Sequence, residues 1–506
     1  MNVVTNIQTE KLAHYVDNLI VNCRNISVLI DVAQEEDYDL YLVGGFLRDT
    51  LLGHVCKDVD FVSSKASELT KLMARNTSSK PVVIDRKFGT TRFIPRVQPH
   101  ILDEQFVVDL SPLKGSTIVD DLYQRDFTIN SLALDISAWR IDGGTHLLDP
   151  LGGIADLEAG KLRVCSKQSL SDDPLRILRA YRLVSTYGFS LTAQTRKNIL
   201  QTCHHLHEVA VERIRDEMML ILSAVNSVSI LKMLAEDGVL RLLLPEHVEI
   251  HKNNSLHLDV WQQRFSTLEA LEFLLVNLRA LLGDYADEAL TILTQKLGGE
   301  RKREASLKLA VLLLHIGPSH SSSVSKNAAT HSHAHRVAGS ELAASFCTRL
   351  RLSNREITFV SQILHHYMRP RKLFWYTRIP SRELVSFFGL GPELFWPLLL
   401  LFASEFAASQ GHVSAGGALQ PLRTRIRGWL DFYHDTLKPR ITAPPIVSGR
   451  DLINQLHLAP GPLVGRLLRS LAELQWEGRV STRQEALDHA SRLLEQLKQR
   501  NRKTQD

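Results

Sequence analysis

The chain has 506 residues, 44% of them apolar and 23% charged, with a formal net charge of +5. That length suits several domains, and the balance is that of a globular protein folded in water. The mild basic excess is compatible with nucleic acid without arguing for it. No apolar run is long enough to span a bilayer, and the opening MNVVTNIQTEKLAHYV lacks the basic and apolar regions of a secretory leader. Five scattered cysteines with no CxxC imply free thiols in a reducing compartment, and no pair among the 21 histidines has clean zinc spacing. A cytoplasmic protein, with no membrane and no obligate protein partner, is the expectation.

Residues 1–35 read as helix. Leu12, Val16, Leu19, Ile20 and Cys23 recur at helical spacing and make a packing element. The stretch from Leu40 to Val62, LYLVGGFLRDTLLGHVCKDVDFV, then predicts strand, glycine turn, short helix, loop and strand. Gly44 and Gly45 permit a tight turn whose N–H groups can point at a phosphate. A helix over Phe46 to Leu52 starts there, where anions are favoured, and Gly53 ends it. Asp58 and Asp60 are two apart, so in a strand their carboxylates share a face. Such neighbours raise each other's pKa. A divalent cation relieves that, and Mg²⁺ is usually held by one or two carboxylates plus substrate phosphates. Two surface acids on an edge strand is the plainer reading of a bare DxD. The glycine pair and Arg48 just upstream shift it towards a nucleotide-handling unit.

Pro81 to Val97 predicts a hairpin about Gly89. Phe106 to Leu110 is a further strand, carrying Asp109 among apolar neighbours. Leu110 to Gln124 is short. In Arg125-Asp126, the arginine can bind phosphate oxygens bidentately or pair with the aspartate beside it. Asp149 to Gly153 is a turn. Ser171-Asp172-Asp173-Pro174 predicts a helix start, with Asp at the cap and Pro at the first helical position. Arg176, Arg179 and Arg182 follow three apart, with Leu175, Leu178 and Leu183 packing behind them.

The rest reads as helical. Gln194 to Leu222, Ser223 to His247 and Leu256 to Leu275 are helical stretches. Ser319 to His333 and Ala408 to Ala418 are expected loops. The apolar run FFGLGPELFWPLLLLFASEF contains Gly, Pro and Glu, so a buried helix pair is expected rather than a membrane span. Near the end, Gly461 to Gly465 can start a helix whose N–H groups meet a phosphate. Arg450, Arg466 and Arg469 are candidate contacts to an RNA backbone or, equally, members of a solvated helix face.

Four segments in order resemble the tRNA nucleotidyltransferase and poly(A) polymerase family, class II of the polymerase-β-like superfamily. They are GGFLRD with DVD, RDFTINSLALDI from Arg125, DPLGGIADL from Asp149 and DDPLRILRAYRLVSTYGF from Asp172. The resemblance is sharp from Leu40 to Phe189. It implies an α+β fold: a small mixed-sheet catalytic head at 36–148 after the 1–35 leader, neck helices at 149–222, a helical body at 223–435 and an RNA-facing tail at 436–506. It implies Asp58 and Asp60 as Mg²⁺ ligands, Asp109 as a third carboxylate, and Gly44, Gly45 and Arg48 at the triphosphate. Arg125 would contact the nucleotide, Asp173 and Arg176 would read the base, and Arg179 and Arg182 would hold phosphates or support that pair. Carboxylate accepts from an exocyclic amine and guanidinium donates to ring acceptors, which suits cytosine and adenine. The expected reaction adds C or A, from CTP or ATP, to the 3′ end of tRNA. The short segment after Asp109 leaves open an enzyme of only the CC or the A step; a poly(A) polymerase and an inactive RNA-binding scaffold are the alternatives. Residues 256–275 resemble the opening of an HD-type domain, but Leu314 and His315 stand where that domain's metal-binding His-Asp pair belongs. His335, His365 and His366 are then expected to be core or surface residues, in a scaffold without hydrolase activity.

Overall fold

Seven strands make the sheet of the first half of the chain. The computed structural model describes residues 6–56, 58–77, 81–85, 89–93, 107–142, 146–244, 256–314, 328–411 and 419–502. The strands are β1 (Tyr41–Val43), β2 (Asp58–Ser63), β3 (Val82–Asp85), β4 (Thr90–Phe93), β5 (Val107–Pro112), β6 (Ala133–Asp135) and β7 (Leu147–Leu148), in the order β3-β4-β5-β2-β1-β6-β7. β2 and β5 are parallel and the other neighbours antiparallel. The sheet is therefore mixed and the fold α+β. A parallel pair needs a crossover; the helix Ala66–Asn76 and the β3-β4 hairpin lie within it. Along β2, Val59 and Phe61 are buried while Asp58 is exposed and Asp60 half-buried, the alternation the sequence predicts. The register sets Asp60 beside Asp109 of β5.

The leader is two helices, Asn6–Asn22 and Arg24–Glu35, broken at Cys23, whose backbone is extended (φ −121°, ψ 97°). The break turns Leu19, Cys23, Ile26 and Leu29 all inward. The chain divides into two compact units, residues 1–217 with 233–242 and residues 218–232 with 243–506. One boundary falls inside the helix Val211–Ser223.

The DPLGG turn is shaped by packing. Both Asp149 oxygens accept backbone N–H groups, from Gly153 at 2.6 Å and Ile154 at 3.0 Å. A Cβ on Gly153 would lie 2.2 Å from the Thr128 carbonyl oxygen. Asp156, one turn on, accepts the Thr128 hydroxyl at 2.7 Å and the Arg163 guanidinium at 2.9 Å. The turn thus clamps the Thr128–Asn130 segment, which follows Arg125.

In the second unit the described residues are helical apart from a two-stranded ribbon, Lys296–Gly298 with Arg301–Lys302. The apolar run forms the helices Ser381–Phe388 and Pro392–Ser409, which meet at 111°. The second is buried along most of its length and packs on the helix Leu256–Val276. Among the described residues no single helix is long and apolar enough to cross a membrane. The segment leading to Leu314 is a helix over Arg303–Leu312. Leu314 is buried and its carbonyl accepts Arg264 Nε at 2.7 Å. His315 and the side chain of His335 lie outside the described residues; the His365 and His366 rings meet edge-on at 4.7 Å. The loop expected as far as His333 is cut short, because a helix begins at Ala328, where two alanines favour it. Residues 315–327 lie outside the described ones. At the end of the chain, the helices Gly449–Leu456, Pro462–Glu477 and Arg483–Arg502 close over Leu452, Val464, Leu467 and Ala490.

Two buried arrangements yield expectations. Glu356 has no side-chain exposure; both oxygens meet Arg301, at 2.7 and 2.9 Å, and one also caps its own helix through Ser353. Burial works against its charge, but Arg301 and Ser353 prevail and hold the carboxyl below its usual range. Its contribution is present in full above the ordinary glutamate pKa of 4.5 and is lost as pH falls through the depressed value. Glu356→Ala is expected to cost about 3–5 kcal/mol, and Glu356→Gln to flatten the acid limb of stability, both read by urea unfolding at a series of pH values. Gly153→Ala should cost about 1–3 kcal/mol by overpacking against Thr128, read as a shifted urea midpoint; an unchanged midpoint would mean the clamp is soft.

Candidate active site

Gly44 adopts φ +79° and ψ −139° between β1 and the helix Gly45–Leu52. A Cβ there would lie 3.2 Å from Arg125 Nη1 and 3.5 Å from Asp60 Oδ2. Glycine is required twice over, for the left-handed backbone and for the close approach of a cation and an anion. Arg48 turns away from this opening. It is buried, donates to both Asp49 oxygens (2.9 and 3.0 Å), to Asn130 Oδ1 (2.6 Å) and to Tyr187 Oη (2.7 Å), and lies 4.6 Å from the Tyr187 ring. Its guanidinium holds the turn in place, a role different from the triphosphate contact expected of it.

Asp58 and Asp60 lie two apart on β2, with Asp109 beside Asp60. Burial pushes the Asp60 carboxyl up to about 6; Arg125 opposes this, and the charges of Asp109 and Asp58 reinforce it. Asp109 is already engaged, because Arg92 of β4 donates to both of its oxygens at 2.8 Å. Among the described residues no three or more acidic, histidine or cysteine side chains are gathered as a ready metal cage. What exists is a pair of hard-oxygen donors, Asp58 exposed and Asp60 half-buried. That donor set fits Mg²⁺ in the mode in which substrate phosphates complete the shell.

A cavity of about 700 Å³ opens beside Asp60. Lys114, Asp121, Arg125, Asp126, Asp173, Arg176, Arg179 and Arg213 supply its charged lining. The structure thus brings together Asp60, Arg125, Asp173, Arg176 and Arg179; Asp58, Asp109, Gly44, Gly45, Arg48 and Arg182 are not on that wall. Arg125 pairs with Asp121 at 2.8 Å, one helical turn back, and not with its neighbour Asp126. Arg176 donates to the carbonyl oxygens of Gln124, Arg125 and Ser169 at 2.9–3.2 Å. Asp173 does not sit as a simple helix cap. It closes the short helix Ser169–Asp172 in an extended conformation, accepts Leu175 N–H at 3.3 Å, and holds Arg213 at 2.8 Å, before the helix Arg176–Tyr187 begins. Arg182 pairs with Glu217 at 2.6 Å.

Two functional-looking residues were not singled out from sequence. Asp126 is the hub of the RDFTIN segment: buried, it accepts Phe127 N–H, Asn130 Nδ2 at 3.0 Å and Arg179 Nε at 3.0 Å. Burial opposes its charge, yet Arg179 and these bonds hold its carboxyl down at about 2. Its place inside a recognised motif was a usable signal. Arg213, forty residues beyond Asp173, carried none. Arg450, Arg466 and Arg469 are exposed on the closing helices, and Arg469 borders a second cavity of about 440 Å³.

Residues 40–163 match the family model of the poly A polymerase head domain, and residues 188–250 match that of a probable RNA- and SrmB-binding site of polymerase A. The chain is 27% identical over 478 residues to the CC-adding tRNA nucleotidyltransferase of Synechocystis sp., covering 92% of this chain and 98% of that one. It is 29% identical over 469 residues to the A-adding tRNA nucleotidyltransferase of Deinococcus radiodurans, covering 90% and 95%. Its fold is similar to that of the Thermotoga maritima CCA-adding enzyme solved with tRNA, with a TM-score of 0.59 at 21% identity over 95% and 98% of the two chains. Set beside the acid pair, the glycine turn and the charged cavity, these matches show that the chain belongs to the class II tRNA nucleotidyltransferase and poly(A) polymerase family.

Proposed function

We propose that this chain is a template-independent nucleotidyltransferase that adds C, A or both, from CTP or ATP, to the 3′ end of tRNA. The observation that carries the reading is Asp60, paired along β2 with Asp58, on the wall of a cavity of about 700 Å³ that also holds Arg125, Arg176 and Arg179. Full-length relatives of similar identity include CC-adding enzymes and an A-adding enzyme. They support tRNA over general RNA and leave the step open, as does the short segment Leu110–Gln124, which holds the end of β5 and the helix Ile118–Tyr123. A poly(A) polymerase is the second reading, supported by the name of the matching head model.

Asp58 and Asp60 are the residues that would hold Mg²⁺. When bound, it would supply a Lewis acid for the attacking hydroxyl and the leaving pyrophosphate. Asp109 adds negative charge beside Asp60 and is itself balanced by Arg92. Gly44 and Gly45 keep the path to the phosphates clear of side chains, and Arg125 stands beside Gly44 to meet a phosphate. Asp173 accepts from the base's exocyclic amine, with Arg213 as its present partner. Arg176, fixed on three carbonyls, presents its remaining donor capacity to the ring acceptor. Arg179 and Arg182 hold the reading helix through Asp126 and Glu217.

The test uses tRNA transcripts ending before CCA, after the first C and after CC, each with Mg²⁺ and one labelled nucleotide. One A on the CC end alone, two C on the bare end, or three ordered additions each fit the reading and fix the step. A long A ladder on any RNA would replace it with the poly(A) polymerase. Asp58→Ala and Asp60→Ala are each expected to abolish incorporation while the urea midpoint stays near that of the parent; turnover in either would remove the metal assignment. Because protons compete for Asp60, the Mg²⁺ concentration for half-maximal rate should rise as pH falls through about 6.

A further inference from the structure

The second unit holds a cavity of about 740 Å³ with no part in the chemistry above. Its walls are the helix Met368–Trp375, the following Tyr376 and the helix Ser381–Phe388. Three cations, Arg369, Arg371 and Lys372, face one acid, Glu383. Glu383 takes Lys372 at 3.1 Å, and Arg369 donates to the carbonyl of Ser386 at 2.9 Å. Arg371 is exposed, and its nearby acid is Glu405. Burial lifts the Glu405 carboxyl to about 7, so at neutral pH it offsets Arg371 only in part. Arg378, exposed, follows two residues after Tyr376.

Trp375 is 72% exposed, unusual for the largest apolar side chain. It is not on a loose segment. Phe374 meets it edge-on at 5.4 Å and is itself packed on Phe402 and Phe406. Arg425 lies 5.4 Å from the Phe374 ring centre and donates to the carbonyls of Phe374 and Tyr376, one residue to each side of the tryptophan. The backbone is pinned while the indole faces water. An excess of positive charge favours a polyanion, and a fixed, exposed indole favours one that carries flat aromatic groups. Those two requirements meet in a nucleic-acid strand, with bases on the ring and phosphates on the guanidinium groups; an acidic peptide satisfies only the first.

We propose that the edge formed by Arg371 and Trp375, with the exposed Arg378 three residues further along the chain, binds an RNA strand, with one base stacked on Trp375 and phosphates on the arginines. That this RNA is also the chain's substrate rests on the function proposed above; that a strand binds here does not.

The experiment uses the full chain and a tRNA transcript ending before CCA, with affinity measured by filter binding across a salt series. Trp375→Ala is expected to raise Kd about tenfold, with Trp375→Phe recovering most of the loss. Arg371→Ala should flatten the slope of log K against log salt by about 0.7 to 0.9, a signature that loss of packing does not produce. In fluorescence, RNA should quench the parent more than Trp375→Phe, which keeps the check available if the alanine variant folds poorly. Unchanged affinity, slope and quenching would overturn the site and leave the surface to a protein partner. If RNA binding depends on Trp375 but no transcript is ever extended by the parent chain, the catalytic reading falls and this one stands.

Discussion

The first unit depends on a relay of buried charged and polar groups that starts and ends on one helix. From the C-terminal end of Arg176–Tyr187, the Tyr187 hydroxyl reaches Asp49 and Arg48; Arg48 reaches Asn130, Asn130 reaches Asp126, and Asp126 takes Arg179 back on the same helix. Glu217 extends it to Arg182. In a low-dielectric interior such bonds are strong when every member is satisfied and costly when one is missing. The relay fixes the helix that carries Arg176 and Arg179 against the turn that carries Gly44. It joins the base-facing and phosphate-facing sides of the proposed site before any substrate arrives.

This arrangement also explains why the cavity is charged yet quiet. The arginines on its wall already have protein partners: Arg125 has Asp121, Arg176 has three carbonyl groups, Arg179 has Asp126 and Arg213 has Asp173. On the same wall, burial pushes the Asp60 carboxyl up to about 6, with Asp109 and Asp58 reinforcing it against the pull of Arg125. In the function proposed above, a metal arriving with its nucleotide triphosphate would supply positive charge and phosphates together.

Much of this was legible in the residues. The strand-turn-helix-strand from Leu40 to Val62, the alternation along β2, the hairpin about Gly89 and the helix start after Gly461 all follow from local rules of spacing and turn chemistry, and the structure has them. What was not legible was partner choice. Arg48 beside two glycines reads as a phosphate ligand, but its partners, Asn130 and Tyr187, come from 82 and 139 residues away. Arg125 reads as a partner for its neighbour and pairs in space with Asp121. Asp173 looks like a helix cap because its contact with Arg213 is forty residues distant. Such pairings depend on tertiary packing, which no window of sequence contains. The early start of the helix at Ala328 escapes the sequence for a simpler reason: a polar, serine-rich run hides two good helix formers at its end.

The DPLGG turn bears on what a sequence signature can testify to. Asp149 and Gly153 touch no part of the cavity; they are held to their identities by a carbonyl at van der Waals limits and by two N–H groups in need of an acceptor. Most of RDFTIN is bound by the same logic, since Asp126, Thr128 and Asn130 face other side chains of the fold. A chain that had lost its chemistry would still have reason to keep these letters, because losing them costs the head stability. The family resemblance is therefore mainly a record of architecture, and the case for catalysis rests on the few residues that architecture does not need, Asp58 and Asp60 first among them.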